Sequence, residues 1–255
     1  MGKAKILAKY RLVGKTAVLF VIFSVTVVLL FITGNFSFII SKVFDISGIF
    51  FKTKTAEISV SAVLSVFGIL LFLFIYSPFH LGCERWFLLS AKGEKTGIKE
   101  LFYYFTPDGF SKSISAFLFC LLKKCAALIL FLFPSACLFF VLYFSLKEGE
   151  ISLTISCALI ICCLLLLSAG IAFYFFYSSR FFAYYDVIIS NEKIKPQSAF
   201  EKSLEITEGA YGKICLFRFS FLPWLLLCML IFPAFYVWGY YRESKTMLCL
   251  KNDLL

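Results

Sequence analysis

Charge is scarce in this chain: of 255 residues only 16% are Asp, Glu, Lys or Arg, against 61% hydrophobic. That leaves too little polar surface to cover one soluble core of such a length, so lipid must cover part of it. Six prolines and fourteen glycines are too few for a linker-rich or low-complexity protein. No polar block is long enough for a second, soluble unit, and residues 1–255 read as a single integral membrane domain. There is one histidine, His80, so no second imidazole completes a zinc site, and no CxxC pair occurs. GxxxxGKS/T and GxGxxG patterns are missing too, which excludes the usual Gly-rich phosphate cradles. A nucleophile with its base, or a pair of carboxylates, is not assembled anywhere in the sequence. The expectation is a non-enzymatic protein with no catalytic, cofactor-binding or metal residues and no cofactor.

What the chain does hold is apolar length. Thr16 to Thr33, Ile58 to Phe79, Cys125 to Phe144, Ile151 to Tyr177 and Ile214 to Trp238 reach or approach the ~20 residues that a ~30 Å hydrocarbon slab asks of a helix. The fold class is therefore an all-α, multi-pass transmembrane helical bundle, with five clear spans, a sixth at the margin and cytoplasmic amphipathic helices. Eight of the ten cysteines (Cys120, Cys125, Cys137, Cys157, Cys162, Cys163, Cys215 and Cys228) fall in apolar runs and read as small hydrophobes. The first apolar run is too long for a cleavable signal and should stay as a span. Ile6 stands where a myristoylation signal would want Ser or Thr.

The net charge of +10 comes from Lys and Arg between the apolar runs and at their ends. That pattern points to a bilayer with anionic headgroups as partner, not to nucleic acid. Lys3, Lys5, Lys9, Arg11 and Lys15 precede the first span with no acid among them, which by the positive-inside bias places the amino terminus in the cytoplasm. The basic segments Arg85 to Lys112 and Arg180 to Lys213 should share that side.

Phe110 to Phe144 is too long for one crossing at 1.5 Å per residue. Lys123 and Lys124 would each cost ~2.5 kcal/mol or more at the bilayer centre. The sequence predicts a division there: an interfacial amphipathic helix carrying Ile114, Phe117, Leu118 and Leu121 on one stripe, then a span from Cys125. A second amphipathic helix starts at Pro196, carries Ala199, Phe200, Ser203, Leu204 and Thr207, and stops at Gly209. A short helix, Ile98 to Phe105, leads into a turn at Thr106, Pro107, Asp108 and Gly109. Pro223 and Pro233 make a straight fifth span untenable, and a break is expected near Pro233. Ala234 to Leu250 then becomes the sixth, marginal segment, with Arg242 and Lys245 needing water or a partner; a five-span chain is the alternative.

The run Ala199, Ser203, Gly209, Ser220, Phe221, Trp224, followed by Trp238 and Tyr240, resembles the carboxyl-terminal signature of the bacterial integral membrane proteins of domain of unknown function 975. Gly82, Arg85 to Leu89, Lys92 to Lys95 and Leu101 to Phe105 are similar to that family's middle section, so the likeness covers about Pro78 to Leu250. The family's Ile-Pro-Gly turn stands here as Phe133, Pro134, Ser135. The resemblance implies a multi-pass helical fold in a bacterial cytoplasmic membrane and supplies no catalytic residue.

Ionisable groups close to lipid are costly unless paired or functional. Glu84, Arg85, Arg180, Asp186 and Arg218 all fall near cytoplasmic span ends, where they form either a structural polar cluster or arginines that snorkel separately to the headgroups. His80 reads as interfacial, or as a proton relay if an acid approaches it. Two function classes follow. The first is a membrane-organising or interaction protein with an unidentified protein partner. The alternative is a small transporter or permease-type membrane subunit, suggested by the proline-broken span and the near-membrane charges.

Overall fold

A computed structural model describes residues 2–35, 40, 54–148, 153–191, 193–224 and 234–251. Among them the chain is helix and turn with no strand. Helix α1 (Gly2–Leu12) and α2 (Thr16–Gly34) meet at a 97° bend, where Gly14 takes a φ of 82° that other residues rarely adopt. Then come α3 (Lys54–Lys92), a 3-10 helix (Ile98–Phe105), α4 (Pro107–Glu148) and α5 (Leu153–Ser178). A 3-10 turn (Ser179–Phe181) leads to α6 (Tyr184–Ser190), α7 (Pro196–Thr207), α8 (Tyr211–Phe219) and α9 (Ala234–Lys251).

Three stretches are long and apolar enough to cross a membrane: Ala62–Lys92, Pro107–Lys147 and Thr154–Ser190. A fourth is reached only if α1 and α2 are taken together as one bent span. Five clear spans is thus more than the structure supports. The fifth run, Ile214 to Trp238, is not one helix, because α8 ends at Phe219 and the chain turns through Ser220 and Phe221. Pro223 follows in the first turn of the next helical stretch, where its missing N–H costs least. The expected break at Pro233 lies outside the described residues. The sixth segment is a helix, α9, but it carries Arg242, Glu243, Lys245 and Lys251 in 18 residues and packs against other helices, so it does not count as a span.

Two further expectations are corrected. Helix α4 is not divided at Lys123 and Lys124; it runs unbroken for 42 residues and passes through Pro134. Lysine is a good helix former, so paired lysines set the depth at which lipid must end but do not stop the helix. The turn expected at Thr106 to Gly109 is the first turn of α4 itself, with Pro107 at its start. The Phe110 N–H donates to the Thr106 carbonyl at 2.8 Å, already helical in spacing.

Burial divides the molecule along the helix axes. Only 11 to 22% of each apolar window in the three long stretches is buried. Val63, Ile69, Leu130, Phe140, Leu164 and Leu165 all stand exposed. The other ends pack closely. Phe79, Leu81, Cys83, Trp86 and Phe87 of α3, Leu101 and Tyr104 of the 3-10 helix, Ala116 and Cys120 of α4, the run Phe181 to Ile189, and Phe217 and Phe221 form the core with α9. Ala4 and Ala8 of α1 join that end against Ala91 and Met247. The segments following α3 and α5 and the amino-terminal helix therefore gather at one end.

Specific contacts hold this end together. Gly82 lets α3 touch the carbonyl of Leu101, where any Cβ would collide with backbone. Lys112 donates to the carbonyls of Ile188 (2.9 Å) and Asn191 (3.2 Å) at the end of α6, a cation on the negative pole of a helix. Ser203 of α7 donates to the Arg180 carbonyl at 2.7 Å, and Gly209 closes the segment with a φ of 71°. In the apolar half, Gly170 brings α5 against the Phe131 carbonyl of α4, the close backbone approach that small residues allow between helices in lipid.

Candidate functional site

A row of ionic contacts crosses the packed end just beyond the apolar half of α3. Helical spacing puts His80 and Glu84 one turn apart, with His80 Nε2 3.9 Å from Glu84 Oε1. Arg242 of α9 donates to the same oxygen. Lys245, three residues further along α9, sits between two carboxylates, 3.7 Å from Glu84 Oε2 and 3.4 Å from Asp186 Oδ2 on α6. Glu84 and Asp186 have side chains 2% and 0% exposed, and Lys245 8%. Charges so far from water persist only when paired.

Of the expected cluster, the structure brings Glu84 and Asp186 together through Lys245. Arg85 turns away to pair with Glu100 at 2.9 Å and lies 3.8 Å over the ring of Tyr103. Arg180 lies over the ring of Tyr177, and its buried Nε has no hydrogen-bond partner among the described residues. Arg218 donates to the hydroxyl and the carbonyl of Ser178, at 2.5 and 3.1 Å, and stacks on Phe182. The cations that hold the two acids, Arg242 and Lys245, come from α9, whose pairing with α3 spans 158 residues and leaves no local sequence signal. The His80–Glu84 pair, by contrast, could have been found from its spacing of four on a helix.

A cavity of about 380 Å³ opens beside this row. His80 and Glu84 of α3, Leu121 and Lys124 of α4, Phe182 and Tyr185, Arg218 of α8, and Arg242 and Lys245 of α9 line it. Leu121, one of its lining residues, is exposed. His80 follows the apolar run of α3, Lys124 precedes that of α4, and Ser178, which Arg218 grips, closes that of α5. The cavity thus lies at the level where the bare apolar halves end.

A second polar contact ties α1–α2, α3 and α9. Lys15 donates to the Ser90 hydroxyl (2.7 Å), which donates to Glu243 Oε1 (2.9 Å). Burial pushes the Glu243 carboxyl up to about 7, opposed by the Ser90 bond and the charges of Lys15 and Arg11. Burial also lowers the Lys15 ammonium, against the pull of Glu243. Among the described residues no group of three or more His, Cys, Asp or Glu could hold a metal ion, and the nine described cysteines are free thiols. No protein-family model matches the chain, and neither a curated protein nor a solved structure matches it.

Proposed function

We propose that the chain is a multi-pass protein of the bacterial cytoplasmic membrane, with its amino terminus in the cytoplasm, that works by binding and organising neighbours at the membrane surface. One observation carries this reading: bare apolar helices lead into a packed end that gathers the basic segments Lys3 to Lys15, Arg85 to Lys112 and Arg180 to Lys213. Anionic headgroups complement such a surface at ~1 kcal/mol per Lys or Arg near the membrane, and a protein partner is engaged beside them. The resemblance to the proteins of domain of unknown function 975 implies the same setting and adds no activity. Photo-crosslinking from Lys195 and Lys202, both on the segment around α7, tests the organising role: specific adducts with one protein or lipid class support it, and only random labelling refutes it.

The transporter reading keeps one observation in its favour, the ion-lined cavity next to a helix that breaks at Ser220. Flux across proteoliposomes above that of empty vesicles would favour it over the organising role.

A further inference from the structure

We infer that the cavity between α3, α4, α8 and α9 is a binding site for the phosphate of an anionic phospholipid, with Lys124 and Arg218 as its anchors. Four cations line the cavity, Lys124, Arg218, Arg242 and Lys245. Glu84 and Asp186 occupy Arg242 and Lys245 through the ionic row. Among the described residues neither Lys124 nor Arg218 has a carboxylate within ion-pair distance; Lys124 has the ring of Phe181 at 5.4 Å and Arg218 has Ser178 and Phe182. Two positive charges therefore face the space without a described carboxylate, and among the described residues the buried Arg218 Nε has no acceptor. Partly buried cations in that condition call for an anion.

The cavity lies at the depth where the apolar halves of three long helices end, which is where lipid phosphates stand relative to acyl chains. Leu121, which lines the cavity, is exposed on α4 as are Leu122, Leu128 and Ile129, so acyl chains can run along the helix beside a phosphate held in the cavity. About 380 Å³ is within the ~300 to 1,000 Å³ of small-molecule sites and takes a headgroup, not a whole lipid. Arg218 supplies a planar donor fork suited to phosphate oxygens, and Lys124 a point charge. Trp238 and Tyr241 add aromatic walls.

The inference rests on the membrane placement, but its test is read in detergent, where that placement is not at issue. The full-length protein is titrated with phosphatidic acid, with phosphatidylcholine of the same chains, and with inorganic phosphate, following adducts by native mass spectrometry and the shift in melting temperature. The expected result is one retained phosphatidic acid per chain and a raised melting temperature, with phosphatidylcholine binding weakly. Lys124→Gln, which removes a side chain held only by a ring contact, should weaken phosphatidic acid roughly tenfold or more while leaving the ligand-free melting temperature unchanged. Arg218→Lys should weaken it less than Arg218→Gln. Equal binding of both lipids, or full affinity in Lys124→Gln and Arg218→Gln, overturns the site. Inorganic phosphate that matches phosphatidic acid and is lost in the variants overturns the lipid as its source.

Discussion

Replacing Glu84 by Gln tests the ionic row at its centre. The carboxylate is 2% exposed and serves Arg242 and Lys245. Gln keeps the shape and removes the charge. Lys245 retains Asp186 at 3.4 Å, so the uncompensated group is Arg242, whose side chain is 22% exposed and rests on the ring of Trp238. Removing one member of a buried pair costs about 3 to 5 kcal/mol, and the partial exposure of Arg242 puts this case near the lower figure. At ~2 to 4 °C per kcal/mol for a chain of this size, the melting temperature in detergent should fall by roughly 6 to 12 °C. Lys245→Met should be at least as damaging, because it strips the cation from Asp186, which is 0% exposed. The double variant Glu84→Gln/Arg242→Gln should recover part of the loss, since no lone charge is left behind. An unchanged melting temperature in Glu84→Gln, or strictly additive losses in the double variant, would refute the reasoning.

Two other perturbations follow from the same geometry. Gly170→Ala would place a Cβ 2.5 Å from the Phe131 carbonyl and should lower stability by about 1 to 3 kcal/mol in thermal melts, whereas Gly212→Ala, with nothing within 4 Å, should be neutral or stabilising. The Glu243 carboxyl is held up to about 7 by burial, from an ordinary 4.5. Folding therefore favours its protonated form, and the stability it contributes, up to about 3 kcal/mol, is present in full below pH ~4.5 and lost as pH rises through ~7. Melting curves between pH 5 and 8 should fall with pH in the wild type and flatten in Glu243→Gln; parallel curves would contradict the assignment.

The apolar runs in the middle of the chain were legible because lipid solvates them one residue at a time: Cys125 to Phe144 lies within a membrane-length stretch, and the runs Ile58 to Phe79 and Ile151 to Tyr177 overlap the other two from Ala62 and Thr154 onward. The packed end was not, because its contacts join distant residues. Nothing near Glu84 announces Arg242, and nothing near Ser90 announces Glu243, 153 residues away. Lys123 and Lys124 misled in the other direction: charge marks where hydrocarbon must end, which is a statement about depth, while continuity of a helix is decided by backbone propensity, and Leu121 to Ala126 offer no breaker. The loss of the fifth span has a similar origin, since mean apolarity over Ile214 to Trp238 hides the local stop at Ser220 ahead of Pro223. Asp186 reads as one more juxtamembrane acid until α9 delivers Lys245 to it.

The central claim is that acyl chains, not water or protein, cover the bare halves of α4 and α5. Spin labels at Leu130 and Leu165, 68% and 63% exposed, in protein reconstituted into liposomes measure this directly through collisions with oxygen and with a water-soluble nickel chelate. High oxygen and low nickel accessibility at both sites is the predicted result. Nickel accessibility equal to that of a label at Lys202, on the exposed face of α7, would contradict it.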